Sequence, residues 1–161
     1  MNRVVVALTV AVLAVTPAVA QNRVQIAKVR GGANCPGCNL FQANLNNLTL
    51  KGKNLSGARL RQADLSSVVM NGTSFARADL RDVDAYAGVF TNVNFAGANM
   101  TNANFVGTYL QGANFAGAVL NGVNFSGAEM GRARGLTQRQ LAAACGDETT
   151  ELPRGLRLRG C

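Results

Sequence analysis

The 161-residue chain is 48% hydrophobic and 15% charged, holds 18 glycines, and has a formal net charge of +8. That much apolar content excludes a disordered chain, and the length fits one domain. It contains no histidine, which excludes a histidine general base, a Ser-His-Asp triad and a histidine-bearing zinc site.

The first twenty residues read as a secretory signal. Arg3 gives a short basic start, and Val4 to Val15 is an almost wholly apolar run, too short to span a bilayer. Pro17 ends the run, and Ala18-Val19-Ala20 offers an A-x-A site before Gln21. Cleavage after Ala20 would deliver the chain to an oxidising compartment, periplasmic or secreted. Residues 21–34 then read as an N-terminal linker.

Cys35-Pro36-Gly37-Cys38 opens the central region. A C-x-x-C motif invites redox and metal readings. A thioredoxin-type motif, however, starts a helix in a βαβ unit, and no such unit is present downstream.

The central region runs instead to a five-residue beat. From Leu40 to Met130 a large apolar residue stands at every fifth position, nineteen in all and without an insertion, with Ala85 the one small exception. Two residues earlier the chain is usually small or β-branched, as at Ala43, Ala63, Val68, Ala98 and Val123. The residue just before each centre is often Asn or Asp, and glycine dominates two residues after it in the later half. Five residues turn an α-helix by about 140°, so the centres would wind around it. On a flat strand an odd step flips the face. The pattern is coherent only if the chain turns a corner every five residues, with Asn, Asp and Gly at the bends.

Runs such as Ala63-Asp64-Leu65, Ala98-Asn99-Met100, Ala103-Asn104-Phe105 and Ala113-Asn114-Phe115 resemble the pentapeptide repeat proteins. The resemblance implies an all-β fold, a right-handed quadrilateral β-helix of about five coils over residues 35–134. Residues twenty apart would stack. One column then reads Leu55, Phe75, Phe95, Phe115, and another ends on Phe105 and Phe125; these six are the expected structural core. Ala85, in that second column, leaves room for Phe105; repeat drift and a local bulge are both open there. Lys53 stands where a small inward residue is expected and points to a distorted corner. Open ends are a liability for a solenoid, so caps are expected.

Residues 135–161 read as such a cap. Thr137 and Gln140 have capping-box spacing, which predicts a short helix from about Gln138 to Cys145 closed by Gly146. An extended segment from Leu152 to Leu158 then reaches Cys161. Structural disulfides pairing Cys35 with Cys38 and Cys145 with Cys161 are the favoured reading. Free or intermolecular thiols, and a cysteine-dependent redox or metal-binding role, stay open.

Charge placement bears on partners. Between Pro36 and Gly131 six basic residues face five acidic ones, so the repeat region is nearly neutral, and Gly88 to Ala128 carries no charge. The excess lies in the flanks. Some pentapeptide repeat proteins resemble DNA and protect or inhibit DNA gyrase, but such mimicry needs a strongly acidic column. The basic flanks suit weak contact with an anionic surface; no aromatic platform for specific nucleic-acid binding accompanies them, the only tyrosines being Tyr86 and Tyr109. Asp79, Asp82 and Asp84 are the nearest approach to a carboxylate site, and pairing with neighbouring arginines is the simpler account. The expected protein is a non-enzymatic module without cofactor, presenting a rigid surface to a protein or envelope partner.

Overall fold

A computed structural model describes residues 21–161. The signal sequence expected over residues 1–20 lies outside them. No helix among the described residues is long and apolar enough to cross a membrane.

The central chain is a β-solenoid. Parallel bridges link residues twenty apart in unbroken series, for example Asn39 to Arg59 to Asp79 to Asn99 to Val119. Every fifth-position centre from Leu40 to Met130 is at most 2% exposed. The register begins one unit earlier than the apolar period implies: Cys35 occupies a centre and Cys38 the small inward position, and both are buried.

The bends fall on the two residues after each centre. Every residue two past a centre, from Gly37 to Gly127, has positive φ. Most turns close with a bond from the residue three past the centre, such as Ala43 N to Leu40 O at 3.0 Å. A positive φ at the third residue is the type II signature, and glycine meets it without strain. At Gly112 the need is doubled, because a Cβ there would lie 2.1 Å from Oδ1 of Asn92 directly below.

The Asn and Asp positions do not sit on the bends, contrary to expectation. They hold the bridge, and their side chains reach forward to cap the turn. Asn94 Oδ1 accepts from Ala96 N at 3.0 Å, and Asn99 Oδ1 from Thr101 N at 3.1 Å. An amide two residues on is the natural donor for such a side chain.

The phenylalanine column forms as the spacing implies. Phe75 and Phe95 stack at 5.7 Å, Phe95 and Phe115 at 5.3 Å. Phe105 meets Phe95 edge-on at 5.8 Å and Phe125 at 5.9 Å. Ala85 marks no bulge: its amide bonds Asn104 O at 2.8 Å and its carbonyl accepts from Gly88 N at 3.0 Å. A Cβ on Gly88 would come within 2.5 Å of the Phe90 ring, and Phe90 contacts Phe105 at 5.6 Å. The bare Gly88 makes room for Phe90.

Lys53 does mark an irregular corner. The turn from Leu50 to Lys53 is open, and the buried hydroxyl of Thr73 closes it. That hydroxyl accepts from Lys53 N at 3.2 Å and donates to Leu50 O at 2.9 Å. Thr73→Val keeps the shape and strands both backbone groups, so unfolding stability should fall by about 1–3 kcal/mol. Urea melts check this; an unchanged midpoint would show that the turn closes by itself.

The residues flanking the ladder bond to it at both ends, and those on the N-terminal side depart from the sequence-based expectation. Residues 21–34 are not a linker throughout: α1 (Arg23–Arg30) forms there, with Asn22 capping it through Gln25 N. Lys28 and Arg30 lie in its last turn, where they complement the helix dipole. Val29 is buried and Ile26 packs on the core. Gln25 Oε1 accepts from Asn39 N at 2.6 Å, Gln21 Nε2 donates to Gln42 O at 2.8 Å, and Arg30 donates to Asn44 O. Backbone groups on the first circuit are thereby satisfied. The Asn22 cap, the Gly31-Gly32 stop and the unbroken residues between them were a legible helix signal.

At the other end, α2 (Gln138–Leu141) is a single turn with the expected capping box. The helix stops at Leu141, short of Cys145, because the next residues return to the ladder. Cys145 bridges Asn124, and its carbonyl accepts from Phe125 N at 2.8 Å. Gly146 accordingly lies in a strand, β1 (Cys145–Gly146), and does not close the helix. The segment Leu152 to Leu158 is not extended; it turns near Arg154 and Gly155, with Leu156 N donating to Pro153 O. The chain then forms β2 (Arg159–Gly160), parallel to β1. Unpaired edge groups on the last circuit outcompete both the longer helix and the longer strand.

Candidate interaction surfaces

Each unit sends its bridge residue and its two bend residues outward, so side chains form vertical ladders. Ladder spacing is that of parallel strands, about 4.8 Å. Four bridge ladders result, and each has its own chemistry.

The first carries Asn39, Arg59, Asp79, Asn99 and Val119. Here the charges pair locally. Arg81 grips Asp79 through Nε at 2.7 Å and Nη2 at 2.6 Å, and Arg61 Nε meets Asp82 at 3.0 Å. The bonds from Arg81 outweigh partial burial and hold the Asp79 carboxyl below its ordinary value of 3.8. A depressed native pKa contributes stability above the unfolded value, and that contribution is lost as pH falls through the native one. Asp79→Asn should therefore flatten the loss of stability below about pH 4. Thermal melts from pH 6 to pH 2 read this out; parallel curves for both proteins would refute it.

The second ladder carries Asn44, Asp64, Asp84, Asn104 and Asn124. Asp64 and Asp84 are bridge neighbours, as their spacing implied. Burial opposes the Asp64 charge, but bonds from Ser66 and Asn46 prevail and lower its pKa. Asp84 accepts from Tyr86 N at 3.1 Å and Asn104 Nδ2 at 2.9 Å. The aspartates at 79, 82 and 84 are thus divided: Asp79 and Asp82 each hold an arginine, and Asp84 caps a turn on the adjacent side.

The third ladder departs from the Asn/Asp habit. It reads Thr49, Val69, Val89, Tyr109, Glu129 and then Glu151. Tyr109 is 40% exposed, and Val69 and Val89 are half-buried. The fourth reads Asn54, Ser74, Asn94, Asn114 and Arg134.

The cysteines are not brought together as four. Cys35 and Cys38 lie at disulfide distance across the first turn, with Cα atoms 5.5 Å apart. Cys145 in β1 and Cys161, one residue past β2, do so at the far end, with Cα atoms 5.0 Å apart. Among the described residues no group of His, Cys, Asp or Glu could hold a metal ion. A cavity of 460 Å³ adjoins Cys161 and Asp147. The Asp147 carboxylate there is already engaged, accepting from Thr149 Oγ1 of its own loop at 2.7 Å and from Gly127 N of the repeat region at 3.0 Å.

Three of the flanking arginines serve the fold, which sequence reasoning overlooked. Besides Arg30, Arg134 Nη2 donates to Gly112 O at 3.2 Å and Arg159 Nε to Ala144 O at 3.3 Å. Their targets are backbone carbonyls that no local pattern could identify.

A five-residue unit, turned at every repeat and laddered every twenty residues, defines a solenoid that displays flat side-chain arrays. The family model for pentapeptide repeats matches residues 54–86 and 89–127, in eight copies. Over those residues the chain carries the pentapeptide repeat. A solved pentapeptide repeat protein from the thylakoid lumen of Arabidopsis thaliana is 27% identical, with a TM-score of 0.61 over 76% of this chain and 83% of that one. One from the cyanobacterium Cyanothece 51142 is 25% identical, with a TM-score of 0.42 over 80% and 97%. A plasmid-mediated fluoroquinolone resistance protein is 20% identical, with a TM-score of 0.31 over 80% and 86%. No curated protein matched the sequence.

Proposed function

We propose that this protein is an exported, non-enzymatic interaction module. Its ladder would wind as a right-handed, four-sided column of about five coils with α2 as its C-terminal cap, and disulfides at Cys35–Cys38 and Cys145–Cys161 would secure the ends. A protein or envelope component would bind one of its flat faces. The observation that carries this reading is the rigid display itself: four outward ladders, each with a fixed order of polar, charged or apolar groups. The lumenal relative supports an extracytoplasmic site, as does the signal-like start. Mimicry of DNA toward gyrase is the weaker reading, because acidic and basic groups on these faces nearly balance.

Two measurements test the proposal. N-terminal sequencing of protein recovered from its host should begin at Gln21; a retained Met1 would remove export. Affinity capture from the envelope fraction should recover a partner whose binding is lost on substitution of outward ladder residues. Recovery of cytoplasmic topoisomerase alone would overturn both localisation and function.

A further inference from the structure

The third ladder is ordered in a way that points to a second copy of this chain. At its N-terminal end stands Lys51, exposed, one residue past the Leu50 centre, with Lys53 at the adjoining corner. Its middle is Val69, Val89 and Tyr109, flanked by the uncharged Asn71, Thr91 and Gln111. At its C-terminal end Glu129 and Glu151 are bridge partners, both exposed. Two carboxylates on adjacent rungs repel each other. Among the described residues the ion pairs join other groups, so Lys51, Glu129 and Glu151 are left to solvent.

Two of the flanking amide oxygens are already engaged within the column. Asn71 Oδ1 accepts from Thr91 N at 3.2 Å, and Gln111 Oε1 from Arg132 N at 2.9 Å.

We propose that two copies associate side by side through this face, antiparallel, about a two-fold axis passing beside Val89. An isologous interface must be self-complementary under its own rotation. The order basic, apolar, acidic meets that demand when one column is inverted. The rotation sets Val89 against Val89, Val69 against Tyr109, and Thr49 against Glu129. Each Lys51 then comes beside the Glu129 and Glu151 of the other copy. A parallel arrangement sets Lys51 on Lys51 and the glutamates on each other. One contact opposes the pairing: Lys53 and Arg132 occupy matching corners and would approach. The balance across each end remains attractive, two lysines meeting two glutamates and one arginine.

Four rungs separate Thr49 from Glu129, about 19 Å of column. A face this narrow falls below the roughly 1,200 Å² of a stable interface, so the dimer is weak and in exchange with monomer.

Sedimentation velocity of the purified protein, up to concentrations on the order of 1 mM, should show a monomer–dimer equilibrium that weakens with salt. Val89→Arg should raise the dissociation constant at least tenfold while leaving the melting temperature unchanged. Lys51→Glu should raise it several-fold, and adding Glu129→Lys should restore it. Orientation is read with a short bis-maleimide on the oxidised protein. Val89→Cys should cross-link to itself, Thr49→Cys should not, and a mixture of Thr49→Cys with Glu129→Cys should. A protein monomeric throughout, or Thr49→Cys linking as well as Val89→Cys, overturns the proposal. Neither result bears on export or on a heterologous partner.

Discussion

Phe95→Ala is expected to cost about 3–5 kcal/mol, the largest effect of any single side chain here. The ring is 1% exposed and lies at the crossing of two aromatic columns. It stacks on Phe75 below and Phe115 above, and meets Phe105 edge-on. Truncation removes these ring contacts and leaves a cavity that ladder hydrogen bonds on every side prevent from collapsing. In a solenoid each circuit is held mainly by its neighbours. The loss should therefore also weaken coupling between the two halves, and the unfolding transition should broaden. A fall in melting temperature of roughly 10 °C is the expected readout. Phe95→Leu restores most of the volume and should recover more than half the loss. A melt for Phe95→Ala within a degree or two of wild type would mean that the column repacks freely.

Cys161→Ser should cost about 3 kcal/mol, as expected for opening a closed loop of this size. Cys145 and Cys161 are sixteen residues apart in sequence. Their bond would fix β2 against β1, and β1 itself completes the ladder above Asn124. Besides lowering the melting temperature, the substitution should free the tail, so that limited proteolysis cuts between Glu151 and Cys161 first. Reductant should reproduce the effect on wild type. Cys38→Ser should cost less, since its loop spans three residues. Identical melts with and without reductant, or four alkylated thiols by mass spectrometry, would refute a structural role for the sulfurs.

The inward residues of this protein were legible because the five-residue period offers only one way to keep Leu40, Leu45 and their successors on one side of the chain. The phenylalanine column followed from the twenty-residue spacing of Leu55, Phe75, Phe95 and Phe115. Even the faltering at Lys53 was visible, as a long cationic side chain in a position meant for a small one. Its remedy was not: the hydroxyl of Thr73 acts across a coil, and a threonine in that position reads as an ordinary small residue. Gly88 is similar. A Cβ there would meet the Phe90 ring, which leans toward Phe105 of another column, and no count along one column reveals that approach.

The ends were read least well, for a related reason. The helical signals in residues 21–31 and 138–145 were equally local, yet α1 forms in full and α2 stops after one turn. The first circuit needs side chains from a helix lying against it, supplied by Gln25 and Arg30. The last circuit needs backbone, supplied when Cys145 rejoins the ladder. Sequence by itself determined the solenoid, its inward face and its near-neutral sides, because each of these is a periodic property. Only the tertiary structure decided how the ends close, which arginines serve carbonyls, and that one face runs from basic through apolar to acidic. Those properties arise between circuits, where residues twenty or more apart meet, and parallel ladder geometry rather than local preference selects the partners.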